Sequence, residues 1–416
     1  MTGRSCLYSD TYILAGQRAI RMQTFLYSLF RIANSHYTGK PAATVPEFLD
    51  LGVQLLPQYI QNPADQRLAK LSLAESMFEN GALDDAQRVF DEGIASAAAA
   101  YDRQSEAEAA AYSGNIAYQK GDTVKGASLT AHALDLARKG GVSTDVLVRA
   151  EDYFAVNREN LGFRTDENLQ LLQDAAKRAR AAALPPHQTA DVLYSLASDL
   201  ELRGRLDEAE PIYNESLATY GQDPSELCSR SNVQGDLAYL YEMRGDVQRA
   251  LPGYKQAYDG FVACSGPNGQ DALVEQDAYA GALIKLGRAQ EAVPLLEKAL
   301  PEWRKIVGDS QEISEVLYYL AAAYDDTGRY LDAEKTANEL IQLQTGKVEP
   351  GDRRFGASHM VLARALAGQA RYQEALGQAR LADQVLSKNP GVSPGAKAMD
   401  AQAHTLLLDL QSKTAR

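Results

Sequence analysis

Small residues recur along this 416-residue chain at intervals of 40 to 42 residues: Ala74, Gly114, Ala155, Ala197, Ala238, Ala280, Ala321 and Ala363. A steady period of about 41 marks an array of stacked helical units rather than one closed core. Each small residue falls where two packed helices have to approach closely. Seven residues later comes a turn glycine, and five further on a second small residue, as in Ala74, Gly81 and Ala86, or Ala197, Gly204 and Ala209. The triplet returns as Ala238, Gly245 and Ala250, as Ala280, Gly287 and Ala292, and as Ala321, Gly328 and Ala333. Glycine supplies the positive φ that ends a helix, and the alanines let the paired helices close. Leu320, Tyr324 and Tyr330, or Leu237, Tyr241 and Tyr254, fill the remaining core phases at helical rather than strand spacing. Pro211, Pro252 and Pro294 each follow the second small residue by two, which predicts a place in the first turn of the second helix, where a missing N–H costs least.

Segments such as Leu320-Ala321-Ala322-Ala323-Tyr324-Asp325-Asp326-Thr327-Gly328-Arg329-Tyr330-Leu331-Asp332-Ala333 resemble the tetratricopeptide repeat, in the long-period form seen in kinesin light chains and bacterial regulators. The resemblance implies an all-α, right-handed α-α superhelix of about eight helix-turn-helix repeats with N- and C-terminal capping helices. The expected organisation is an irregular N-terminus at 1–16, a helical cap at 17–64, the array at 65–390 and a capping helix within 391–416. Three repeats depart from the pattern. The second has Gly126 at its second small position, the third keeps Phe154, Ala155 and Gly162 but has no second small residue in phase, and the eighth has Ala370 where the glycine belongs.

Ahead of the array, Arg18 to Asn34 and Val45 to Ile60 read as amphipathic helices. Gln23-Thr24-Phe25-Leu26-Tyr27-Ser28-Leu29-Phe30, Thr44-Val45-Pro46-Glu47-Phe48-Leu49-Asp50-Leu51-Gly52 and Asn62-Pro63-Ala64 resemble the stretch that opens the repeat region of bacterial serine/threonine kinases. No glycine-rich phosphate loop, His-Arg-Asp loop or Asp-Phe-Gly triplet accompanies it, so the resemblance implies a sensor module and no kinase chemistry.

A net charge of −13 without a basic stripe argues against nucleic acid and anionic membranes as partners. No apolar run approaches 18 residues, so no direct membrane insertion is expected. The first sixteen residues do not read as a signal peptide, and the expected location is cytoplasmic. His36, His132, His187, His359 and His404 are scattered without metal-ligand spacing, and neither metal nor cofactor is expected. Gly356-Ala357-Ser358-His359 lacks the second glycine of a nucleophile elbow and reads as the start of a helix. Gly391 to Lys397 is one residue short of a phosphate loop and reads as the linker before a terminal helix, Ala396 to Lys413. No catalytic residue is assigned.

Cys228 and Cys264 stand near ends of the fifth repeat's helices that an antiparallel pair brings together, so a disulfide is geometrically possible. In a cytosolic protein both would be reduced thiols, which is the expectation here; a bond would argue for a location outside the cytoplasm.

The tetratricopeptide resemblance also implies an inner surface lined by first-helix positions three before, one after and four to five after the small residue. Those phases hold Asn115 and Tyr118, Asp152 and Glu159, Tyr194 and Glu201, Tyr239 and Glu242, Asp277 and Lys285, then Tyr318, Asp325 and Asp326. The set is rich in tyrosine and acid and lacks the lysine and asparagine groups that family members use to clamp a C-terminal carboxylate. It predicts a groove for a peptide or protein carrying basic and apolar residues, with tyrosines as anchors and carboxylates steering approach. The expected function is a non-catalytic interaction scaffold or sensor in bacterial signalling. The alternative is an enzyme or small-ligand receptor on a helical-repeat frame.

Overall fold

The computed structural model describes residues 43–391 and 394–415, together with Phe25, Ser28 and Leu29. The expectations for 1–16, for most of Arg18 to Asn34 and for His36 lie outside the described residues. Phe25 and Leu29 are helical and buried against Leu56 and Ile60.

Among the described residues the chain forms eighteen α-helices. They are α1 (Val45–Tyr59), α2 (Pro63–Glu79), α3 (Leu83–Ala99), α4 (Arg103–Gln119), α5 (Thr123–Arg138), α6 (Thr144–Asn160), α7 (Asp166–Ala182), α8 (Pro186–Leu202) and α9 (Leu206–Tyr220). There follow α10 (Leu227–Met243), α11 (Val247–Ser265), α12 (Gln270–Lys285), α13 (Ala289–Val307), α14 (Ser314–Asp326), α15 (Tyr330–Gln344), α16 (Arg353–Gly368), α17 (Tyr372–Lys388) and α18 (Pro394–Thr414). The fold is an all-α solenoid of eight helix pairs, α2/α3 to α16/α17, with the eight periodic small residues on the first helix of each pair. Two compact bodies divide it, 1–199 and 200–416.

Seven pairs close through a three-residue turn built the same way. In the seventh, Gly328 takes φ 76, its N–H donates to the Asp325 carbonyl at 3.0 Å, and the Arg329 N–H reaches back to Tyr324 at 2.8 Å. The two bonds satisfy carbonyls that the helix end leaves open. Ala370 adopts the same left-handed backbone in the eighth turn, φ 60, so that repeat keeps its geometry without glycine. In the second repeat a Cβ on Gly114 would lie 2.7 Å from Thr130 Cγ2, so glycine there reflects the closeness of α4 and α5.

The prolines sit one turn deeper than expected. Pro211, Pro252 and Pro294 are each the sixth residue of α9, α11 and α13, inside the helix rather than in its first turn. The carbonyls they leave without a donor belong to Asp207, Gln248 and Gln290, all exposed residues, where solvent is at hand to offset the lost bond. The third repeat departs from the others at its turn, which runs over 161–165, five residues instead of three. That insertion moves the second-helix core phase onto Asn168, Leu169 and Leu172, all buried, and Leu169 stands where the other repeats carry their second small residue.

In the first body, Leu49, Leu71, Met77, Phe90, Tyr112 and Ile116 pack as one core; in the second, Leu273, Leu283, Leu296, Trp303, Leu317 and Leu320 do so. The terminal helix α18 buries Leu410 against Ala363, Leu366 and Ala375, and Ala403 against Met360 and Leu386. Its linker is held by Arg353, which pairs with Asp400, while Asp400 also accepts from the Gly391 N–H at 2.8 Å. Gly356 to His359 lie in the first turns of α16. Cys228 and Cys264 are joined by a disulfide across α10 and α11, with their Cα atoms 5.8 Å apart, where reduced thiols had been expected.

Candidate functional site

Because the periodic residues are small, consecutive first helices lie side by side in each body, α2 with α4 and α4 with α6, then α12 with α14 and α14 with α16. The residues flanking each small position are therefore drawn into helix–helix contacts, and their exposure depends on what faces them.

In the first body, Asn115, Tyr118 and Tyr194 are half-buried. Asp152 and Glu159 are buried on α6. Burial pushes the Asp152 carboxyl up to about 7, against a hydrogen bond from Ser195. The centre of this face is a charge network that sequence reasoning missed. Arg149, buried on α6, holds its Nη2 3.2 Å from Glu75 of α2 and its Nη1 3.7 Å from Glu108 of α4. Its guanidinium lies 4.4 Å from the ring centre of Tyr112, whose hydroxyl donates to Glu75 and whose ring stacks on Phe90 at 4.8 Å. Burial pushes Glu108 up to about 7, with Arg149 pulling it back. Glu75 follows Ala74 directly and was readable as a lining residue. Glu108 and Arg149 each stand six residues before their small residue, a phase the groove rule does not include.

In the second body the acids turn inward. Glu201 accepts from the Tyr213 hydroxyl at 2.9 Å, and burial together with the charge of Asp236 pushes its carboxyl up to about 7. Glu242 accepts from the Tyr254 hydroxyl at 3.2 Å, at the same spacing of 12 residues, and pairs with Lys285. Asp277 accepts from the Trp303 indole at 2.8 Å, and Asp325 pairs with Arg364 at 2.7 Å, as Asp326 also does. Asp152, Glu201, Asp277 and Asp325, expected to line a solvent-facing groove, are interior instead. Their partners are a serine for Asp152, aromatic donors for Glu201 and Asp277 and a cation for Asp325, all on neighbouring helices, so they close the array more than they address solvent. Tyr318 is half-buried beside Tyr319, the ring centres 5.6 Å apart. Tyr239 differs: its residue is 49% exposed. Partial burial and then the charges of Glu201, Glu242, Glu315 and Asp236 push its phenol up, so this exposed ring stands among carboxyl groups.

Among the described residues no three His, Cys, Asp or Glu side chains are gathered to hold a metal. His132 meets Glu106, His359 meets Gln378 and His404 meets Asp383, each in its own repeat or at its border.

The helix pair seen here is that of the tetratricopeptide repeat, and residues 272–345 match that repeat family. The protein carries tetratricopeptide repeats. It is similar to Protein KINESIN LIGHT CHAIN-RELATED 3 of Arabidopsis thaliana, 23% identical over 166 residues, which is 40% of this chain and 26% of the relative. The match thus spans about a quarter of that curated relative's length. Among solved structures, the apo form of the quorum sensor NprR from B. thuringiensis is similar with a TM-score of 0.56 and 14% identity, covering 90% of this chain and 99% of that one. The apo form of RapI is similar with a TM-score of 0.55 and 12% identity, covering 74% and 86%. These structures share the fold of paired helical repeats.

Proposed function

We propose that the protein is a non-catalytic interaction scaffold whose first-helix face in the second body captures a basic and apolar segment of a partner protein. The observation that carries this is Tyr239, an exposed aromatic ring standing among Glu201, Glu242, Glu315 and Asp236. A rigid ring bounded by acid favours a lysine or arginine beside an apolar residue, through stacking, apolar contact and charge complementarity. The net charge of −13 supports a protein partner over nucleic acid. The N-terminal resemblance to kinase-linked repeat regions supports a place in bacterial signalling, and the Cys228–Cys264 bond supports a compartment outside the reducing cytoplasm. Tyr318 and Tyr194 are half-buried, which makes Tyr239→Ala the informative variant. It should weaken capture of the partner at least tenfold and leave the helical signal and melting temperature unchanged. Undiminished capture by Tyr239→Ala would remove this face from consideration.

A further inference from the structure

The third repeat departs from the array's pattern at its turn, and that turn forms one wall of a cleft in the first body. The cleft, of about 310 Å³, lies between α5, α6 and the five-residue turn, and Ala127, Thr130, Phe154, Arg158, Leu161 and Phe163 are among its walls. That volume is at the lower end of small-ligand sites. The Thr130 hydroxyl donates to the Gly126 carbonyl at 3.0 Å, so this wall offers its methyl group more than its donor. Phe163 is held from both sides. Its N–H donates to the Arg158 carbonyl at 2.9 Å and its own carbonyl accepts from the Asn168 amide at 2.5 Å, yet its ring stays 57% exposed beside Leu161. An apolar lip fixed in the open is surface that the apolar body of a guest covers with gain.

The other end of the guest follows from Arg158. Its guanidinium lies over Phe154 and Phe163, 5.4 Å and 6.0 Å from their ring centres, and the two rings hold it at the mouth of the cleft. Its Nη1 meets Glu167 at 3.4 Å, but that carboxylate's side chain is 63% exposed, and exposed ion pairs of this kind contribute little. The edge formed by Nε and Nη2 has no partner among the described residues. Two N–H groups side by side match both oxygens of a carboxylate, and a carboxamide satisfies only one of them. We infer that the cleft binds a small apolar carboxylate, whose aromatic or branched body lies against Phe154, Leu161 and Phe163 while its carboxylate stays at the mouth on the Nε–Nη2 edge of Arg158. The site shares no residue with the Tyr239 face, and either reading can fail alone.

3-Phenylpropionate is the probe and 3-phenylpropionamide its neutral counterpart, both titrated against the full chain by ligand-observed NMR. The acid should bind saturably and at least tenfold more tightly than the amide. Arg158→Gln should abolish that preference, so that the two probes bind alike. Glu167→Gln should tighten the acid alone, because it removes the competing carboxylate, and Phe163→Ala should weaken both probes. The last two side chains are exposed, so those variants test the site even where Arg158→Gln disturbs the fold. No saturable binding, equal binding of acid and amide to the parent chain, an undiminished preference in Arg158→Gln, or no gain from Glu167→Gln overturns the proposal. Binding of a peptide that ends in phenylalanine, with 3-phenylpropionate inert, would assign the cleft to a polypeptide terminus and equally overturn it.

Discussion

Asp277→Asn should make the second body more stable as pH rises, by an amount that the environment of Asp277 sets. The residue is 4% exposed on α12; its Oδ2 accepts from the Trp303 indole at 2.8 Å and its Oδ1 has no partner. Burial pushes its pKa up to about 8, with the Trp303 bond acting the other way and the charge of Glu315 adding to the rise. A folded-state pKa above the unfolded one means that the folded chain keeps a proton the unfolded chain has released. The associated stability is fully present below the ordinary aspartate pKa and is lost as pH rises through about 8. Between those limits one proton separates the two states, so each pH unit costs about 1.4 kcal/mol, and the span from pH 5 to pH 7 about 2.7 kcal/mol. Asparagine retains an oxygen for the indole and does not titrate. The margin of the variant over the parent should therefore widen by roughly 2–3 kcal/mol between pH 5 and pH 7. Trp303 is the only tryptophan in the sequence, so its emission during urea unfolding at pH 5, 6 and 7 reports on this repeat directly. Parallel pH dependences for the two chains, or a variant that is weaker at pH 7, would refute the reasoning.

The disulfide between Cys228 and Cys264 closes a loop of 36 residues, for which chain-entropy reasoning gives roughly 2–4 kcal/mol. Cys228→Ser, or reduction of the parent chain, should lower the melting temperature, and a melt indifferent to reductant would show that the bond contributes nothing. Ala370 holds φ 60 at the position where the other seven repeats carry glycine. Ala370→Gly should stabilise the chain by about 0.5–1 kcal/mol in chemical denaturation, because glycine reaches the left-handed region without a Cβ penalty; a loss of stability would contradict that account.

Much of the fold was legible because the signals that encode it are local. A helix ends in a left-handed residue within a turn or so of where the sequence places glycine, and a close crossing admits only a small side chain wherever its partner lies. The prolines show the limit of local reading: their common phase was visible, but their depth in the helix was off by one turn, because exposed carbonyls four residues earlier tolerate the loss. The lining residues show a different limit. Phase places Asp277 on one side of its helix, yet that it meets Trp303, 26 residues on, depends on how α12 and α13 pack. Arg149 and Glu75 are 74 residues apart, and no spacing rule connects them.

By itself, then, the sequence determined the period, the helix pairs, the turns and the residues that share a face, since each depends on backbone conformation and steric allowance within a few residues. Only the tertiary structure decided which of those residues meet water. The carboxyls of Asp152, Glu201, Asp277 and Asp325 went inside, and Tyr239 stayed out. Solvent access is a property of the neighbouring helices rather than of the residue's own helix.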